Sequence, residues 1–259
     1  MNNIEKLKNL YLGKSKHSNY QILTQRLANL IEPSNLNVKT RYERERLKYI
    51  LKNINIKNKR VLDIGGNTGY FSFELLDLGA KHVYYYEGNK EHTEFVKLAS
   101  KILELEKNIT VFNKYFSFDN KFNLKGIDII LLLNVLHHIG DDYGDPQISI
   151  DSVKAQILTQ INSLSEKTTT LIFQMGFNWK GNRDLGLFPN GSKKEMIEFI
   201  SEGVNDNWEI INIGIPHENA GEIEYQNVNE NNLIRRDDLG EFLNRPLFIL
   251  KSKNSRKVS

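Results

Sequence analysis

Cysteine is missing from the 259-residue sequence, and with it go disulfides, a thiolate nucleophile and any zinc site built on cysteine. A reducing compartment is therefore permitted. Long apolar runs are missing too. No stretch of about 18 apolar residues occurs, so no membrane-spanning helix is expected, and the opening MNNIEKLKNLYLGK has no apolar signal-peptide core. The sequence reads as that of a cytosolic protein. Charge of one sign is scarce: 35 Lys and Arg stand against 32 Asp and Glu, a net +3 that does not single out nucleic acid as a partner. Much of the excess lies in the terminal KSKNSRKVS, which reads as a solvated chain end rather than a nucleic-acid arm. Repeats and low-complexity tracts are absent as well. This length holds one good core with at most a modest appendage, and 39% hydrophobic with 26% charged residues is ordinary for a globular domain.

What the sequence does contain is an alternation. Residues 1–57 read as helical, on the apolar spacing of YQILTQRLANLI and the charged amphipathic stretch RYERERLKYILKNI, with a break at Pro33 and Ser34. They are expected to form an N-terminal helical cap on a second domain, residues 58–259. There RVLDIGG reads as a strand, residues 70–78 as a helix, HVYYYEGN as a strand and KEHTEFVKLASKILEL as a helix. ITVFNKYF and the apolar run GIDIILLLNVL continue as strands, followed by the helix SIDSVKAQILTQINSL and the strand TTTLIFQMGF. The last part offers the helix SKKEMIEFISEG, the strand WEIINIGI, a polar stretch and the strand RPLFILKS. This rhythm predicts an α/β fold, a mostly parallel sheet with helices on both faces and ligands at the carboxyl ends of its strands.

The first such end is VLDIGGNTGYFS, residues 61–72. A Gly-rich turn between strand and helix receives nucleotide-like ligands, but the spacing is wrong for two common ones. From Gly65 the second and third positions of a dinucleotide G-x-G-x-x-G are Asn67 and Tyr70, and no Gly-Lys-Ser/Thr follows as a P-loop needs. The pattern Asp63-x-Gly65-x-Asn67-x-Gly69 resembles motif I of the class I S-adenosylmethionine-dependent methyltransferases, with Asn67 where the family commonly has its middle Gly. Glu87, 18 residues after Gly69, falls where that family's second strand ends in an acid that binds both ribose hydroxyls; a carboxylate can accept both at once. LLNVLHHIGD is similar to the N-x-L-H-H stretch after the fourth strand of many small-molecule methyltransferases. The resemblance runs from about Arg60 to Lys251 and implies a Rossmann-like sheet whose last strand is antiparallel.

The resemblance implies S-adenosylmethionine as cofactor, held by Asp63, Gly65, Asn67, Gly69 and Glu87, with Asn134 after the fourth strand. Tyr115 and Phe116 stand near the adenine position, where the family often has an acid. Arg41 or Tyr42 of the cap is expected at the cofactor carboxylate. The sulfonium already activates the methyl group, so the protein has to align the acceptor and deal with its proton. For a hydroxyl acceptor a neutral His suits a general base, His138 first and His137 second, one of the adjacent pair being expected to pack inward. An anionic acceptor needs no base. No metal is expected.

Acceptor contacts are sought on the loop QMGFNWKGNRD, in Gln174, Asn178, Trp179, Lys180 and Arg183, where an aromatic beside two cations suits an anionic or phosphorylated group. The plainer alternative is a packed Trp179 with its cations in water. Arg235 in the later polar stretch, and His17 and Tyr20 in KSKHSNYQ, are further candidates; a helix start and a solvated face are the alternatives there. The motif combination looks most like bacterial small-molecule O-methyltransferases, including those encoded with capsule or surface-polysaccharide enzymes. Two other readings stand beside it: an RNA methyltransferase of the wobble-uridine type, against which the modest charge counts, and a catalytically silent cofactor- or partner-binding protein.

Overall fold

Helices and strands alternate through the protein, whose computed structural model describes residues 2–13, 20–31, 38, 40–118, 124, 126–182 and 184–254. Pro33, Ser34, and the acceptor candidates His17 and Arg183 lie outside the described residues. The elements are α1 (Asn3–Tyr11), α2 (Gln25–Ile31), α3 (Glu43–Asn53), β1 (Arg60–Ile64), α4 (Tyr70–Asp77), β2 (His82–Glu87), α5 (Lys90–Ile102), β3 (Ile109–Asn113), β4 (Ile127–Leu133), α6 (Ile150–Ser163), β5 (Thr168–Gln174), α7 (Lys193–Val204), β6 (Trp208–Asn219), β7 (Glu222–Asn227) and β8 (Leu247–Ser252). The eight strands follow the sheet order β3-β2-β1-β4-β5-β8-β6-β7. β1 with β2, β2 with β3, and β4 with β5 are parallel. β8 is antiparallel to β5 and to β6, and β7 to β6. This is the expected Rossmann-like mixed sheet with its last strand, β8, reversed, and β7, a strand the sequence did not announce, is reversed as well. Two compact units make up the chain, Met1–Leu47 with Ile54–Phe116, and Lys48–Asn53 with Ser117–Ser259.

In the first unit β1 is buried from Val61 to Ile64, because a strand covered on both faces reads as a continuous apolar run. α5 buries His92, Phe95, Val96 and Ala99 at helical spacing, and the Asn89 side chain caps it by accepting from the Glu91 and His92 N–H groups at 2.9 and 3.2 Å. α1 lies against α5, with the rings of Tyr11 and Phe95 5.7 Å apart. The spacing in YQILTQRLANLI runs ahead of the helix it forms. α2 begins only at Gln25, since Thr24 Oγ1 accepts from the Leu27 N–H at 3.4 Å and so sits at the cap.

In the second unit β4 and β5 supply the apolar centre, with Ile130, Leu131, Leu132, Leu171, Ile172 and Phe173 fully buried. α7 opens on a capping box between Ser192 and Glu195. The end of α3 packs on β6: a Cβ at Gly214 would lie 2.6 Å from the Tyr49 ring, and Tyr49 Oη donates to Asn227 Oδ1 at 2.7 Å. The polar stretch after WEIINIGI holds more order than its composition predicts. β6 runs on to Asn219 and turns through Ala220 (φ 51°) and Gly221 (φ 85°) into β7, a two-residue hairpin loop with both central residues left-handed, as the strand twist requires.

Candidate functional site

The turn after β1 is tightly constrained. Gly65 and Gly66 both donate to Tyr86 O, at 2.8 and 3.3 Å. A Cβ at Gly66 would stand 2.5 Å from the Tyr85 ring and 2.9 Å from Asp63 Oδ2, so only glycine fits between strand and turn. Asn67, the residue replacing the family's middle glycine, has φ 51°. Asparagine is among the few residues that tolerate this left-handed conformation, and its Oδ1 accepts from the Thr68 N–H at 2.8 Å. Gly69, at φ 80°, precedes α4 and offers no side-chain cap.

Glu87 at the end of β2 closes on this turn. Its Oε2 accepts from the Asn67 N–H at 3.0 Å and its Oε1 from the Asn89 N–H at 2.8 Å. The carboxylate thereby bridges the turn after β1 and the start of α5. Asp63 is buried and accepts from Ser72 Oγ at 2.7 Å. Burial pushes its carboxyl up to about 6, against the lowering effect of the Ser72 bond, and the Glu87 charge adds to the rise. Tyr85 Oη donates to Asn67 O. The turn, its acid and its glycines thus form one bonded unit.

Tyr115 is 57% exposed and its ring covers Gly88, where a Cβ would stand 2.5 Å from it; Phe116 is buried edge-on to Tyr86, 5.1 Å between centroids. The Arg41 guanidinium lies 4.9 Å over the Tyr20 ring. Glu43 Oε2 accepts from the Arg41 N–H at 2.9 Å and from Thr40 Oγ1 at 3.1 Å, while Tyr42 is left-handed at φ 55°.

In the second unit the ends of β4 and β5 are tied together. Asn134, also left-handed at φ 62°, donates from its backbone to Gln174 O at 2.7 Å and from Nδ2 to Gln174 Oε1 at 3.1 Å. Its Oδ1 accepts from Arg245, which forms a two-pronged pair with Glu241. His137 is buried, and its Nδ1 accepts from the Gly176 N–H at 3.2 Å, which leaves the proton of the neutral ring on Nε2. His138 is partly exposed, with Nδ1 3.3 Å from Asp142 Oδ2 and 3.7 Å from Asp141 Oδ2. These three side chains bring potential metal-ligand atoms within 4.8 Å of one another, the one such group among the described residues.

The remaining acceptor candidates frame this loop. Trp179 is buried and donates through Nε1 to Ile139 O at 2.7 Å. Lys180 Nζ donates to Pro146 O at 2.7 Å and lies 4.4 Å from the Trp179 ring centroid. Asn178 forms an isolated bridge with Gly186. Arg235 sits elsewhere in this unit, its Nε on Asp237 at 2.6 Å, its Nη1 on Gly191 O, and its guanidinium 5.3 Å over Phe177. Sequence reasoning missed Arg245 and Glu241, whose i,i+4 spacing in GEFLNR is their sole local sign, and the two acids of HHIGDD at i+3 and i+4 from His138.

A family model described as a methyltransferase domain matches residues 35–202. No curated protein matches the sequence. Among solved structures, WbdD is 14% identical with a TM-score of 0.57; the match covers 95% of this chain and 41% of that one. Magnesium protoporphyrin IX methyltransferase from Synechocystis, solved with S-adenosylmethionine, is 13% identical over 95% of this chain and 89% of that one, TM-score 0.49. TrmK from M. capricolum, solved with S-adenosylhomocysteine, is 13% identical over 81% and 69%, TM-score 0.47. The likeness to WbdD is one of fold, and the family match spans more than half of the sequence. The chain therefore belongs to the methyltransferase-domain family, as an enzyme that uses S-adenosylmethionine.

Proposed function

We propose that this methyltransferase O-methylates a hydroxyl on a small anionic or phosphorylated acceptor, a metabolite or sugar-linked intermediate of bacterial surface-polysaccharide synthesis, in the cytoplasm. The observation that carries the reading is His138, whose Nδ1 faces Asp142 at 3.3 Å and Asp141 at 3.7 Å. Two carboxylates this close to an imidazole stabilise the imidazolium by their charge, which suits a group that takes up a proton. Bound S-adenosylmethionine supplies an electrophilic methyl group. His138 would take up the hydroxyl proton of the acceptor at Nε2, and the demethylated cofactor would leave as S-adenosylhomocysteine. His137, buried and bonded to Gly176, holds the backbone from which His138 projects.

In this reading Asp63, Gly65, Asn67 and Gly69 hold the amino-acid end of the cofactor, Glu87 the ribose hydroxyls, and Tyr115 with Phe116 the adenine. Residues 1–57 are a helical cap on that part of the protein, with Arg41 and Tyr42 at the cofactor carboxylate and Tyr20 beside them. Gln174, Asn178, Trp179, Lys180 and Arg235 orient the acceptor. Lys180 and Arg235 carry more donors than the bonds described above use, which leaves capacity for an anion.

The test is incubation with S-adenosylmethionine and, separately, a panel of phosphorylated sugars and nucleotide sugars and unmodified total tRNA, followed by mass spectrometry. The expected product is a small molecule heavier by one methyl, with the label on oxygen. Methylation confined to the tRNA would replace this reading with the RNA one.

A further inference from the structure

α4 lacks a cap of its own. Gly69 has no side chain to accept from the first N–H groups of the helix, groups that would otherwise be unsatisfied. The acceptor comes instead from Gln21, 49 residues earlier: its Oε1 takes the Tyr70 N–H at 2.9 Å and Thr68 Oγ1 at 3.1 Å. Gln21 is 9% exposed, and its own carbonyl accepts from Tyr11 Oη at 2.9 Å. One buried amide therefore fastens α1 and the residues before α2 to the turn after β1. The neighbouring residue Tyr20 carries the Arg41 guanidinium on its ring. A second tie lies at the other end of α4, where Arg26 of α2 pairs with Asp77.

We propose that Gln21 is a positioning residue for S-adenosylmethionine: it caps α4 from outside the helix, so that the order of residues 20–31 and the geometry of the Gly65–Gly69 turn are coupled. The inference rests on the reading that this turn binds the cofactor. Binding at the turn favours the conformation in which Thr68 and Tyr70 meet Gln21, and docking of Gln21 prepares the turn; linkage makes the two effects equal in size. The device replaces a local cap with one that reports whether the preceding segment is in place.

The experiment uses the full chain and S-adenosylhomocysteine as probe, with affinity by calorimetry and amide exchange by mass spectrometry. Gln21→Leu should weaken binding about tenfold, a loss of two neutral hydrogen bonds and a cap. Gln21→Glu, which keeps an acceptor at the same reach, should recover affinity to within about threefold of the parent protein. In the parent the probe should slow exchange across residues 20–31 as well as at the turn. In Gln21→Leu the turn should still be protected and residues 20–31 should not, an uncoupling that mere loss of stability does not produce. Parent-like affinity in Gln21→Leu, with Glu87→Ala binding weakly, overturns the proposal. Parent-like affinity in both variants overturns the reading of the turn itself. If Gln21→Leu does not fold, Thr68→Val removes one of the two bonds at constant size: a loss of about threefold supports the coupling, and no loss overturns it.

Discussion

Arg245 Nη1 donates a 2.7 Å hydrogen bond to Asn134 Oδ1, joining residues 111 positions apart. The same guanidinium grips Glu241, and Glu241 Oε1 accepts from the Phe177 N–H at 3.0 Å. The end of β4 is thus held by a charged pair from the approach to β8.

Arg245→Met should destabilise the protein by about 3 kcal/mol, the lower range for breaking a largely buried pair, because Glu241 keeps its charge without a partner. Adding Glu241→Gln should restore part of that loss in urea unfolding at neutral pH; equal losses in the single and double variants would remove the pair as the cause. Burial pushes the Glu241 carboxyl up, but Arg245 and the Phe177 N–H hold it below its ordinary range. A carboxylate lowered in the folded state contributes stability above its unfolded value and loses it as pH falls through the folded value. The contribution of this pair should therefore persist to the acid side of the usual carboxylate range.

Asp63 gives the opposite sign. Its carboxyl is raised to about 6 by burial, so the folded state holds a proton that the unfolded state releases near pH 4. Stability should fall as pH rises from about 4 to 6, by about 3 kcal/mol for a shift of about two units. Asp63→Asn should flatten that part of the profile in urea unfolding between pH 4 and 8. A slope unchanged by the substitution would assign it to another group.

If Glu87 holds the ribose hydroxyls as proposed, Glu87→Ala should weaken S-adenosylmethionine binding at least about tenfold, since it also removes the acceptor of the Asn67 and Asn89 N–H groups. Asn67→Gly should fold within about 0.5 kcal/mol of the parent, because glycine also accepts a positive φ, whereas Asn67→Val should cost about 1–2 kcal/mol. Calorimetry and thermal unfolding separate the two effects.

His138→Ala should lower turnover of a hydroxyl acceptor by about 10²–10⁴ with cofactor affinity nearly intact, the range for removing a general base. Asp142→Asn should cost less, because His138 itself remains. An acceptor that is already anionic should leave turnover almost unchanged in His138→Ala.

The parts of the protein legible in its sequence are those whose signals are local. β1, its turn, α4, and the acid at the end of β2 lie within 28 residues, and α4 starts at Tyr70 as expected and ends one residue earlier than expected, at Asp77. α2 was legible only in part, because Thr24 caps it and Gln21 is drawn away to α4. β7 was hidden by its composition: Ile223 and Tyr225 alternate with Glu and Gln, and Ala220–Gly221 is a weaker turn signal than Asn-Gly. Glu241 and Arg245 show only their i,i+4 spacing, while their bonds to Phe177 and Asn134, and those of Gln21 to Thr68 and Tyr70, join positions far apart in the chain that no local pattern announces.

β7 stands last in the strand order, and Glu222 and Glu224 are its exposed side chains alongside Asn227. An outermost strand invites a second molecule to continue the ladder, and like charges on that strand oppose such growth. These two acids act as insulation. Replacing both with threonine leaves the turn after β1 untouched, yet should lower the concentration at which the protein gathers into fibrous or amorphous assemblies.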